Sequence, residues 1–110
     1  MTQDLIDRSV FDELADSVGS DFAAELVDTF LSDAGTMFGS LDQAIADQDV
    51  DLYRRAAHSL KSNAQTFGAT MLAAQAREIE LSGVFDAAAI ATLRATFDMS
   101  ATALKGLLDD

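Results

Sequence analysis

The chain of 110 residues holds one histidine, His58, followed by Lys61, Ser62 and Gln65 at spacings of three, four and seven. On a helix those positions share a face with the imidazole, which would then have one cation and two neutral hydrogen-bonding groups beside it. Arg54 and Arg55 adjoin from the preceding turn. An unperturbed imidazole is largely neutral near physiological pH and is then a competent nucleophile. A phosphoryl group placed on it brings roughly two negative charges, which nearby cations would balance. The surrounding segment suits that chemistry: Leu52 to Arg77 contains no Asp or Glu, while Arg54, Arg55, Lys61 and Arg77 give it a charge of +4, against -16 for the rest of the chain. No carboxylate on this stretch is expected to compete for Lys61. The carrier reading depends on that: an imidazole packed inside the protein, or one tied to a carboxylate that neutralises the nearby lysine, would overturn it.

Other chemistry is excluded or poorly supported. There is no Gly-rich phosphate loop, no GxSxG, no HExxH and no Glu-x-x-His pair. With one His and no Cys, neither a metal site nor a nucleophile-base pair is expected, and disulfides are excluded. The remaining carboxylates are scattered and read as a solvated surface. A net charge of -12 repels nucleic acid and anionic lipid, so neither is expected as a partner. The opening MTQDLIDRSV lacks the basic and apolar regions of a signal peptide, and no apolar run approaches a membrane span. A cytoplasmic protein and a monomer are the default expectations.

Positioning the imidazole falls to helices. The chain has no proline, so glycines and Asp/Ser caps punctuate it. Ser9 is expected to cap a short helix carrying Val10, Phe11, Leu14 and Val18, closed by Gly19. Ser20 opens a long second helix whose stripe runs through Phe22, Ala23, Leu26, Val27, Phe30, Leu31, Met37, Phe38, Leu41 and Ile45, ending at the polar run Asp47 to Asp51. Gly35 and Gly39 should weaken its middle by roughly 1 kcal/mol each relative to alanine. A third helix, about 50 to 67, has the seam Tyr53, Ala57, Leu60, Ala64 and Phe67, with Gly68 at its end. A fourth, about 69 to 82, buries Leu72, Ala76 and Ile79 before Gly83. A fifth, after Asp86, repeats Ile90, Leu93, Phe97, Ala101, Leu104 and Leu108. The expected fold is all-α, an up-and-down antiparallel four-helix bundle with a short additional N-terminal helix, in one domain spanning 1–110. At about 100° per residue, His58 sits about 140° from the seam of the third helix and therefore faces solvent. Antiparallel geometry sets it level with Ser40 on the second helix and with Glu78 on the fourth.

The stretch AAHSLKSNAQTFGA, Ala56 to Ala69, resembles the signature of histidine-containing phosphotransfer (HPt) domains, approximately A-H-x-L-K-G-x-x-x-x-x-G-A. Ala57, His58, Leu60, Lys61, Gly68 and Ala69 match it. The segments FDELADSVGSDFAAELVDTFLSDA and AREIELSG look like the family's helices around the site. The resemblance implies a phosphorelay carrier, in which His58 accepts a phosphoryl group from an aspartyl phosphate on a receiver domain and passes it to a response regulator aspartate, with Lys61 as its charge partner. It implies receiver domains and a hybrid sensor kinase as partners. It also implies no cofactor on this chain, with magnesium supplied by the receiver, and no ATP site or kinase activity. Ser62 departs from the family glycine after the Lys; its hydroxyl can reach the imidazole or a phosphoryl oxygen, and its bulk should slow docking rather than change the role.

Gly35, Met37, Phe38 and Gly39 flank the His in this register and form the expected docking rim, with at least one of Met37 and Phe38 belonging to the core. Phe38→Glu is expected to weaken receiver binding without unfolding the bundle. The alternative reading is a helical adaptor that docks and sequesters a receiver or kinase without taking phosphate, against which the presence of both His58 and Lys61 argues.

Overall fold

In a computed structural model, which describes residues 5–108, the chain forms five helices: α1 (Arg8–Val18), α2 (Ser20–Asp47), α3 (Val50–Thr66), α4 (Thr70–Ser82) and α5 (Ala87–Leu108). The ends 1–4 and 109–110 of the expected domain lie outside the described residues. Helices α2 to α5 pack as a ring, each against its neighbours in that order and α5 back against α2, while α1 lies over α2 and α3. This is the expected all-helical bundle. Among the described residues no helix is long and apolar enough to cross a membrane.

Local chemistry sets the helix ends. The cap of α1 is Asp7 rather than Ser9: the Asp7 carboxylate accepts from both the Ser9 backbone N–H, at 3.0 Å, and the Ser9 hydroxyl, at 2.6 Å. An acid two positions further out reaches the free N–H groups of the first turn and carries a charge that favours the helix N-terminus, so it displaces the serine. Asp49 does the same for α3, accepting from Leu52 N–H at 3.1 Å. Gly19 and Gly83 take positive φ at the ends of α1 and α4, as expected of helix stops.

The α3 seam holds as read: Tyr53, Ala57, Leu60, Ala64 and Phe67 are all buried. On α2, Val27, Phe30, Phe38 and Leu41 are buried, and the helix runs unbroken through Gly35 and Gly39. Phe22 departs from the expected stripe and is half exposed, while its neighbour Ala23 in the same first turn of α2 is fully buried. Aromatic rings fill the centre: Phe30 stacks on Phe67 at 5.0 Å between centroids, and Phe97 meets Phe30 and Phe38 edge-on at 6.0 and 5.5 Å. Burial of each such ring contributes on the order of 2–3 kcal/mol. On α5, Thr96 and Ser100 are buried alongside Ile90, Leu93 and Leu104, and the Ser100 hydroxyl donates to Thr96 C=O at 2.8 Å.

Gly68 is the position where only glycine fits. Its φ is +75°, and a Cβ there would lie 2.7 Å from the Asp7 backbone oxygen. Its own C=O accepts from Asp7 N–H at 2.7 Å, fastening the segment ahead of α1 to the α3–α4 turn. The next residue, Ala69, is fully buried. The Gly-Ala pair is thus a packing device that sets how α4 leaves α3, and so what α4 presents to His58.

Candidate functional site

His58 projects from the middle of α3, with 57% of its side chain exposed. Its expected outward placement follows from the alanines and leucine on the opposite side of the helix, which the bundle buries. The neighbouring Lys61, one turn on, is far less exposed at 18%, its aliphatic stem lying along the α3–α4 seam.

Between the two lies Glu80 of α4. Its Oε2 is 2.8 Å from His58 Nδ1 and its Oε1 is 2.7 Å from Lys61 Nζ. The hydrogen bond from Lys61 holds the Glu80 carboxyl below the usual carboxylate range; partial burial opposes this, and the bond and charge of His58 reinforce it. An ionised carboxylate accepts hydrogen bonds and donates none. The proton of the neutral ring is therefore on Nδ1, and the Nε2 lone pair points away from Glu80 toward the exposed side.

This corrects the expectation that no carboxylate competes for Lys61. The acid-free stretch of sequence is real, but the fold brings a carboxylate into it from a different helix. The register explains the miss. Counting residues back from the turn sets Glu78 level with His58, whereas the helix crossing puts Glu80 there. Two positions on a helix are a rotation of about 200°, so Glu80 faces the imidazole and Glu78 faces a groove on the α5 side. The alternation of Ile79, buried in the core, with its two acidic neighbours is the signal in the sequence that one of them must border α3. This is the arrangement named above as overturning the carrier reading, a ring tied to a carboxylate that also engages the nearby lysine, so the argument from an uncontested cation fails. The imidazole is exposed, as required, while Lys61 is engaged, so the site is an imidazole oriented by a carboxylate with a cation held beside it, and not a bare cationic patch.

The other candidate residues separate into groups. Arg54 lies over the end of α4, where a Cβ at Gly83 would overlap its guanidinium; its charge faces the carbonyl end of that helix. Arg55 Nε donates to Asp51 C=O at 3.4 Å. Arg55 also lines a shallow groove of about 200 Å³ with Met37, Ser40 and Ser59. Gln65 is exposed and borders a different depression together with Arg77. Ser62 is exposed one turn beyond His58, and its carbonyl accepts from the Thr66 hydroxyl at 3.1 Å.

On α2, Gly35 and Gly39 are exposed, with open space where a side chain would be, and Met37 is half-buried at the groove. Phe38 is core, with 3% exposure. Its ring meets Phe97 and lies 4.8 Å below the Arg94 guanidinium carbon. Phe38 therefore cannot serve as docking rim, and the expectation that Phe38→Glu spares the fold is withdrawn: a carboxylate there would be buried without a partner. The helical period decides this, since Ala34, Phe38 and Leu41 fall on one inward stripe. Among the described residues no group of three or more His, Cys, Asp or Glu side chains is placed to hold a metal ion.

Known proteins resemble the chain in sequence and in fold. The model of a family described as the Hpt domain matches residues 25–110. The phosphorelay protein LuxU of Vibrio harveyi is 30% identical over 80 residues, covering 73% of this chain and 70% of that protein. The crystal structure of histidine-containing phosphotransfer protein B (HptB) from Pseudomonas aeruginosa PAO1 matches with a TM-score of 0.89 and 26% identity, covering 98% of this chain and 97% of that one.

Proposed function

The chain belongs to the Hpt domain family and is a phosphotransfer intermediate of two-component signalling, and from that premise we propose that it carries the phosphoryl group on Nε2 of His58, between a receiver-domain aspartyl phosphate and a response regulator aspartate. The single observation that carries the assignment is the 2.8 Å bond between His58 Nδ1 and Glu80 Oε2 on an otherwise exposed ring. It fixes the tautomer whose lone pair faces outward.

In the acceptance step, the Nε2 lone pair attacks phosphorus, the bond from phosphorus to the aspartate oxygen breaks, and the aspartate leaves as a carboxylate. Nε2 then bears the phosphoryl group and Nδ1 keeps its proton, so the ring becomes a cation. Glu80 is already in place to stabilise that cation, as a carboxylate does for an imidazolium in a catalytic triad. Lys61 serves the other product, the phosphoryl oxygens. An ammonium has three donors, and the bond to Glu80 uses one. Phosphoryl transfer passes through a loose transition state in which position and charge neutralisation carry most of the catalysis, and this pair supplies both. Donation to the second receiver runs the same step in reverse.

In this reading the magnesium ion and the acidic pocket belong to the receiver, the phosphate comes from a receiver and not from ATP, and a hybrid sensor kinase stands upstream. The protein acts as a monomer in the cytoplasm. Met37, Arg55 and Ser59, around the groove beside His58, together with Gly35 and Gly39, are where a receiver would dock.

The test is transfer from a ³²P-labelled receiver to the wild type and to His58→Gln. Acid-labile label on the wild type alone supports the carrier. Complex formation with no label on either would replace it by the sequestering adaptor.

A further inference from the structure

Arg54 precedes His58 by four residues and shares its face of α3, and Gly83 follows Glu80 by three and closes α4. These two residues meet one turn along the seam from the bond between His58 and Glu80. A Cβ on Gly83 would overlap Arg54 Nη2 and lie 2.6 Å from its Nε, so the guanidinium fills the space that the absent side chain leaves. We propose that Arg54 is a positioning residue, which holds the last turn of α4 in place and through it the Glu80 carboxylate against the His58 ring.

The last turn of α4 calls for a cation and has none of its own. It carries an acid, Glu80, and no base, which is the unfavourable sign for a helix C-terminus. Its carbonyls are poorly met as well. Gly83 N–H and the Ser82 hydroxyl both donate to Ile79 C=O, each at 3.2 Å, and Val84 N–H donates to the Ser82 hydroxyl at 3.2 Å. Among the described residues nothing donates to the carbonyls of Glu80, Leu81 and Ser82. The Arg54 guanidinium brings positive charge to that end. It is not claimed elsewhere, since among the described residues no carboxylate lies within ion-pair distance of it.

Beyond Gly83 the chain is next fastened to α3 at Asp86, whose N–H donates to the Tyr53 hydroxyl at 3.3 Å. A terminal helix turn opens at little cost in free energy, so removing one favourable charge moves a sizeable share of the molecules to an open end. There Glu80 no longer reaches Nδ1, and the outward lone pair is no longer fixed. This rests on the carrier reading of His58, in which that lone pair attacks phosphorus.

The experiment compares Arg54→Met, which keeps the stem and removes the charge, with Arg54→Lys, which restores a charge, in the full ¹⁵N-labelled chain. The readouts are hydrogen exchange of the Gly83 amide and the ¹⁵N shifts of the His58 ring, taken where the ring is neutral, which report its tautomer. In Arg54→Met the Gly83 amide should exchange roughly two- to fivefold faster and the Nδ1–H tautomer should lose population, with the melting temperature near that of the wild type. Transfer from a labelled receiver should slow in step, and Arg54→Lys should restore all three. An unchanged tautomer in Arg54→Met, an equal loss in Arg54→Lys, or a loss accompanied by a fall in melting temperature would each overturn the proposal. Neither the exchange nor the tautomer needs a receiver. If both move while the wild type takes no label, the carrier assignment falls and the hold of Arg54 on Glu80 stands; if the wild type takes label and neither moves, the reverse holds.

Discussion

Two edges of the bundle carry the same ingredients to different ends. On the α2–α5 edge, Arg94 pairs with Asp42 across the seam and lies over the Phe38 ring. On the α3–α4 edge, Lys61 pairs with Glu80. The first pair is open to water, with side chains 45% and 59% exposed, and such pairs contribute between nothing and about 1 kcal/mol. The second is more than three-quarters covered, and its carboxylate also holds an imidazole. Burial and a third partner, not the presence of an ion pair, turn a surface contact into a device that sets a tautomer.

Breaking the core beneath the first edge should have the largest effect. Phe38→Glu removes a buried ring and strands a charge, so a loss of several kcal/mol is expected, seen as a collapse of the urea midpoint. A variant that stays fully helical with an unchanged midpoint would contradict the burial of Phe38.

Next comes the second edge. Glu80→Gln keeps an acceptor near Nδ1 but removes the charge that, in the proposed carrier, stabilises the phosphorylated ring. Transfer from a labelled receiver should fall at least about tenfold, equivalent to about 1.4 kcal/mol in the barrier, while receiver affinity stays the same. An unchanged rate would remove Glu80 from the mechanism. Lys61→Ala should also slow transfer, by several-fold, and a wild-type rate would remove Lys61.

Acid distinguishes the edges more gently. The Glu80 carboxyl has a lowered pKa in the folded chain, below its ordinary value of 4.5. Its contribution to stability is therefore fully present above that ordinary value and is lost as pH falls through the lowered one. The difference in stability between wild type and Glu80→Gln should shrink as pH falls below the ordinary carboxylate value. A difference that persists unchanged into strong acid would show that charge is not its source. The smallest effect belongs to Asp42→Ala, expected to shift stability by less than about 0.5 kcal/mol and transfer not at all. A slowed transfer would mean that the two edges are coupled.

Much of this was legible in the residues. The helices, the α3 seam from Tyr53 to Phe67 and the outward face of His58 all follow from period and punctuation, because a helix of known phase fixes which side chains share a face. Gly68 was legible as a helix stop, but its contact with Asp7 was not, since that joins segments about sixty residues apart. Phe38 was placed on the correct stripe, yet which side of that stripe meets a partner depends on how deep α2 sits between α3 and α5. Ser9 lost the cap to Asp7 through a competition two residues wide that composition does not resolve.

By itself, then, the amino-acid order determined the helices, the exposure of the one imidazole and the cations on its own helix, all of them properties within a few turns of chain. The tertiary structure alone decided that Glu80 and not Glu78 stands opposite His58, because the angle and stagger at which α4 crosses α3 are set by side-chain packing along the whole seam. A stagger of two residues rotates a side chain through about 200°, and with it went the difference between an uncontested lysine and one shared with the carboxylate that orients the His58 imidazole.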